Sequence, residues 1–145
     1  QYSAELIQGI DNTTRTAVRE SVARWYTNGE HLDALTADLS SIFDERRARL
    51  IAQTETTSAA SNGTLRGYEA SGVVTEMVFL TASDERVCAW CGSLDGQTVS
   101  LSGNFSDKLP PEPQAKLRGR AIKVPPIHPG CRCRIGARVL EVPNA

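Results

Sequence analysis

The four cysteines of this 145-residue chain fall in two short pieces and nowhere else: Cys88-Ala89-Trp90-Cys91, and Cys131-Arg132-Cys133 with His128 three residues before it. Such clustering ties two distant stretches to one point in space and narrows the folds open to the chain. A Cys-x-x-Cys turn aims two thiolates at a common centre, which suits tetrahedral zinc, and Cys131, Cys133 and His128 offer three more donors for the remaining two places. The expected ligands are Cys88, Cys91 and Cys131, with either Cys133 or His128 as the fourth. Three other readings use the same residues. Disulfides between the pieces require an oxidising compartment, and the chain start lacks the basic and apolar regions of a signal peptide. A thioredoxin-type pair requires Cys-x-x-Cys to open a helix after a strand in a βαβ unit, whereas here the helices are expected before the strands. Free thiols can also pack as small apolar residues. A structural zinc knuckle is the preferred reading.

Periodicity supplies the frame around the cysteines. Asp11 to Gly29 reads as a helix, with Asp11, Asn12 or Thr13 as cap, Val18, Val22 and Trp25 on one face, and Asn28-Gly29 as the stop. A second amphipathic helix is expected from near Glu30, with Leu32, Leu35, Leu39, Ile42 and Phe43 on one stripe. Asp44 can cap a third helix, which carries Leu50, Ile51 and Thr54, is expected to break or kink at Asn62-Gly63, and stops at Ser71-Gly72. From Val73 the period changes to two. Val73–Thr81, Gln97–Leu101 and Arg134–Val142 read as strands, the second entered through the turn Asp95-Gly96. Five of the seven prolines lie between Ser102 and Pro126, which is expected to be an irregular surface excursion. A metal site would clip that long loop shut. The fold class is therefore α+β: N-terminal helices followed by a small antiparallel β-sheet with a Cys/His zinc knuckle. The expected division is a helical segment at 1–43 and a main domain at 44–145.

Charge is distributed unevenly. The net charge of −1 conceals a basic tail in which Lys116, Arg118, Arg120, Lys123, Arg132, Arg134 and Arg138 face only Glu141. Arg118, Arg120, Lys123, Arg132 and Arg134 are the expected contacts to nucleic acid or to an acidic partner, the alternative being that the tail pairs with the acidic first part of the chain. No run of about 18 apolar residues suggests a membrane span. With Gln rather than Met at position 1, the chain is expected to be a fragment or a processed product.

Catalytic patterns are sparse. Thiolate-rich zinc sets are usually closed, and the zinc-deaminase pattern is missing because His128 is followed by Pro129-Gly130 and Cys88 is preceded by Val87. No Walker loop, Rossmann glycine pattern, Gly-x-Ser-x-Gly elbow or His-Glu-x-x-His occurs. The remaining enzyme reading is a transferase, such as an ADP-ribosyl transferase, or a nuclease, using Glu55, His128 and the arginines Arg46 or Arg49. The preferred role for Glu55 is structural, in an ion pair involving Arg49 or the basic tail.

Read in order, several motifs form a recognisable series. They are Arg47-Ala48-x-Leu50-Ile51-Ala52-x-Thr54-Glu55, then Asn62-Gly63, Tyr68 and Gly72. Next comes Asp84-Glu85-Arg86-Val87-Cys88-x-x-Cys91-x-x-Leu94-Asp95-Gly96, and last Pro125-Pro126-x-His128-Pro129-x-Cys131-Arg132-Cys133. Across roughly Arg46 to Arg134 the chain resembles the Mu-F type head-morphogenesis domain of tailed bacteriophages and prophages, while the first forty-five residues carry no such motif. The resemblance implies a minor capsid protein that meets portal or capsid proteins, and DNA, during head assembly. It places the protein in host cytoplasm during assembly and in the procapsid or virion afterwards, with no membrane and no small-molecule substrate. A plain DNA-binding knuckle is the remaining alternative.

Overall fold

The computed structural model describes residues 12–139. Three helices come first: α1 (Asn12–Asn28), α2 (Leu32–Leu39) and α3 (Glu45–Ser71). Val18 of α1 is buried, with Val22 and Trp25 partly buried beside it, as the helical spacing predicts. The proposed cap Asp11 lies outside the described residues. Helix α2 is shorter than its apolar stripe suggests. The hydroxyls of Ser40 and Ser41 donate to the carbonyls of Thr36 and Asp38 at 2.8 and 2.7 Å, so side chains satisfy the last turn and the chain leaves the helix. Ile42 is consequently 39% exposed, while Phe43 still reaches the helical core.

Asp44 caps α3 as its position predicts, its Oδ1 accepting from the Arg47 amide at 3.0 Å, and Gly72 closes the helix with φ +67°. Between these ends the 27 residues run without the break expected at Asn62-Gly63. Asn62 donates to the Ser58 carbonyl inside the helix at 2.8 Å, and burial of Ser61 and Leu65 on either side outweighs the roughly 1 kcal/mol that one glycine costs. The uninterrupted helix serves two cores. Its first half contributes Ala48, Ile51 and Ala52 to a cluster with Val18, Leu35 and Leu39, and its second half contributes Leu65 and Tyr68 to the larger core under the sheet.

The sheet contains β1 (Val74–Leu80), β2 (Thr98–Ser100) and β3 (Arg134–Val139) in the order β2-β1-β3, antiparallel throughout. All three strands occur where alternation predicts them, trimmed at their ends; the proposed continuation of β3 to Val142 falls outside the described residues. Met77 and Phe79 point into the core opposite Val99 and Ile135, and Phe79 meets Phe105 edge to face with centroids 5.2 Å apart. Phe105 belongs to the proline-rich excursion, which is more regular than its composition suggests. A 3-10 turn (Phe105–Lys108) and α5 (Pro111–Lys116) lie within it. Pro111 occupies the first helical position, where the missing N–H is no loss and the fixed φ suits the helix. The Ser106 hydroxyl then accepts from the Ile122 amide at 3.0 Å while the Ser106 amide donates to the Ile122 carbonyl, pinning the two ends of the excursion together.

Candidate metal centre

Strand β1 leads through residues 81–87 to Cys88, which caps the short helix α4 (Ala89–Leu94); its sulfur accepts from the Cys91 amide at 3.4 Å. The Cys-x-x-Cys therefore does open a helix after a strand, contrary to the order expected from the sequence. The thioredoxin comparison still fails, because β1 and β2 on either side of α4 pair antiparallel rather than forming a βαβ unit. From the other side, the loop ahead of β3 delivers His128, Cys131 and Cys133.

All five donors predicted from the sequence converge. Cys88, Cys91 and His128 form one group whose donor atoms lie within 4.8 Å of one another; Cys91, Cys131 and Cys133 form a second. Cys91 belongs to both. The Nε2 atom of His128 is 3.1 Å from the Cys88 sulfur and 3.2 Å from that of Cys91. His128 Nδ1 is 2.8 Å from the Pro129 carbonyl oxygen, which only accepts, so Nδ1 donates there and Nε2 is turned towards the two thiols. The sulfurs of Cys91 and Cys131 are 3.8 Å apart, far beyond the roughly 2.05 Å of a disulfide, and all four cysteines are free thiols.

Burial and mutual contact split the thiols electrostatically. Hydrogen bonds from Cys133 and Cys91 favour the thiolate of Cys131 and pull its pKa down. Contact with Cys131, the largest cause in each case, pushes Cys91 and Cys133 up, because a proton held between close sulfurs is hard to remove. A cation at this point would relieve the crowding of negative charge that otherwise keeps the remaining protons in place. The geometry and the donor chemistry thus fit a metal ion.

Three residues overlooked as site builders support the cluster. Thr54 accepts from the Gly130 amide at 2.8 Å, and Thr57 donates to the Cys131 carbonyl at 2.7 Å. Asp84 receives two hydrogen bonds from Arg132. The signal in the sequence was the i, i+3 spacing of Thr54 and Thr57, which puts two hydroxyls on one helix face.

The predicted basic contacts divide. Arg132 is engaged with Asp84, and Lys123 with Glu69 at 3.0 Å. Arg118 and Arg134 are exposed and Arg120 is half-buried. Arg49 lies 4.0 Å from Glu45 on the solvent side of α3, whereas Glu55, six residues on and about 120° around the helix, is buried. Glu55 lines a groove between α1 and α3 of about 560 Å³ together with Arg19, Tyr26, Asn62 and Arg66. His128 does not line that groove, so the proposed catalytic carboxylate and imidazole do not share it.

Fold and site together define a small α+β protein whose helical spine and antiparallel sheet meet at a Cys/His cluster of metal-binding geometry. Residues 15–136 match the family described as Phage Mu protein F like protein, and the chain belongs to that family. The match takes in α1 and α2, reaching well ahead of the Arg46–Arg134 stretch that carries the motifs. It supports a structural role in phage head morphogenesis, association with the virion or procapsid, and capsid-related partners. No curated protein and no solved structure matches the chain. No helix among the described residues is long and apolar enough to cross a membrane.

Proposed function

We propose that the protein is a minor capsid component acting at the portal or procapsid, stabilised by a structural zinc ion and able to contact packaged DNA through its basic C-terminal part. The family match over most of the chain is the observation that carries the assembly role. The zinc reading is supported by the donor set. For zinc–sulfur bonds of about 2.3 Å, two ligands of a tetrahedron stand about 3.8 Å apart, the separation of Cys91 and Cys131. Cys88, Cys91, His128 and Cys131 are the proposed ligands, with Cys133 held against them. Four protein ligands leave no open position, so the ion's contribution is cross-linking rather than chemistry.

Two measurements test this reading. Elemental analysis of protein purified without added metal is expected to give about one zinc per chain, with four thiols reactive after chelation and denaturation. No metal, or fewer than four thiols, sinks the zinc assignment. For the assembly role, phage heads produced without this protein are expected to be fewer or defective, and the protein is expected to co-sediment with procapsids. Normal heads in its absence would remove it from assembly.

A further inference from the structure

Thr54 and Thr57 of helix α3 and the loop motif His128-Pro129-x-Cys131 are seventy-odd residues apart in sequence yet touch at two hydrogen bonds, one part-buried and one buried. We infer that Thr54 and Thr57 are positioning residues for the metal loop: they hold it in its ligand-presenting conformation whether or not metal is bound. This rests on the zinc reading above.

The geometry makes each hydroxyl fit a single task. Thr54 is fully buried; its hydroxyl gives its proton to the Leu50 carbonyl at 2.7 Å, leaving a lone pair free to accept from the Gly130 amide at 2.8 Å. Thr57 acts in the opposite sense, donating to the Cys131 carbonyl at 2.7 Å, while the Gln53 amide at 3.3 Å occupies its acceptor side. One hydroxyl therefore fixes the Gly130 N–H and the other fixes the Cys131 C=O. The two-residue segment between these groups is held at both ends, and the Cys131 sulfur is carried on that segment. The loop also needs outside help. Gly130 sits at φ +76°, within a turn closed by the Cys131 amide donating to the His128 carbonyl at 3.2 Å, and no regular element holds it. Helix α3 supplies the rigid support, since the same helix is anchored in both cores.

A ligand loop held ready before the metal arrives loses less conformational entropy on binding. Removing such an outer contact commonly weakens metal affinity by roughly 10- to 100-fold. The test uses the full chain with Thr54→Val, Thr57→Val and the conservative Thr54→Ser and Thr57→Ser. Zinc affinity is read by competition with a colorimetric chelator, amide exchange at Gly130 is read in metal-free protein, and urea unfolding is followed in excess chelator.

The valine variants are expected to bind zinc roughly 10- to 100-fold more weakly, and Gly130 is expected to lose protection in Thr54→Val. Both serine variants, which keep the hydroxyl, are expected to stay near wild type. A hydroxyl that served stability alone would lower the metal-free urea midpoint and leave the zinc affinity of the folded chain unchanged, and that result overturns the proposal. Should Thr54→Val fail to fold, Thr57→Val carries the comparison. Zinc uptake by wild type with unaltered affinity in the valine variants overturns the positioning role alone, whereas no zinc uptake by wild type overturns the metal reading as well.

Discussion

Arg132 donates from both terminal nitrogens to the two carboxylate oxygens of Asp84, each at 2.7 Å, so the residue between two of the thiols is fastened to the loop that leads to the other two. Parallel paired bonds of this kind fix orientation as well as distance. The Arg132 hydrogen bonds, followed by one from the Arg86 amide, hold the Asp84 carboxyl at about 2, below its ordinary value of 3.8. A folded-state pKa that is depressed contributes stability at pH above the unfolded value, and this is lost as pH falls through the folded one. In chelator-treated protein, the urea midpoint of wild type is therefore expected to exceed that of Asp84→Asn at about pH 5 and to converge on it towards about pH 2. A constant gap across that range would mean that the carboxylate charge is not what the pair contributes.

Gly130 faces a double constraint. Its φ of +76° is one that residues with a Cβ rarely adopt, and a Cβ added there would lie 2.9 Å from Leu50 Cδ1. Gly130→Ala is expected to lose about 1–2 kcal/mol from the backbone alone, with a further loss from the contact. Leu50 is 45% exposed, so its side chain can be cut back at small cost. Adding Leu50→Ala to Gly130→Ala should recover the contact portion and leave the backbone portion. Urea unfolding of the two single variants and the double variant measures both; complete recovery in the double variant would show that backbone strain is not involved.

The cluster itself was legible in the sequence because cysteines confined to two short pieces have few uses, and all five donors do converge. Strand positions were equally plain, since Met77 and Phe79 alternate with partly exposed neighbours along β1. What stayed hidden depended on contacts between distant residues. Asn62-Gly63 has the composition of a break, but the helix is set by what Leu65 and Tyr68 bury further along. Pro111 and Pro113 look hostile to a helix until the start of α5 is known, because proline is tolerated only in the first turn. Arg132 and Lys123 counted as free positive charge in a linear reading, although Asp84 and Glu69, 48 and 54 residues earlier, engage them. Thr54 and Thr57 carried no mark of their role beyond their spacing.

Metal removal offers a direct check on which donor matters most. Cys91 alone belongs to both donor groups, so Cys91→Ser is expected to abolish zinc uptake, while Cys133→Ser should retain it if Cys131 supplies the fourth ligand. With free zinc at 100 times its dissociation constant, the bound ion stabilises the fold by about 2.7 kcal/mol, and chelation should lower the thermal midpoint accordingly. Equal zinc content in Cys91→Ser and wild type would place the ion elsewhere. Loss of zinc in Cys133→Ser would exchange the roles of the last two cysteines.

The division among the basic residues makes the DNA reading sharper than the net charge allows. A cation that neutralises a phosphate releases counterions, and the slope of log affinity against log salt falls by about 0.9 for each such contact to duplex DNA. Among the described residues, Arg118, Arg120 and Arg134 have no ion pair, while Lys123 and Arg132 are paired with carboxylates. Converting the first three to glutamine should therefore weaken DNA binding at low salt and flatten the salt dependence. Lys123→Gln and Arg132→Gln should leave the slope nearly unchanged and act instead on stability, since each strands a carboxylate partner. Binding measured across a salt series with a short duplex separates the two groups. An equal loss of slope from both groups would mean that DNA outcompetes Glu69 and Asp84 for their partners, and no binding by wild type at low salt would turn Arg118, Arg120 and Arg134 towards an acidic protein surface.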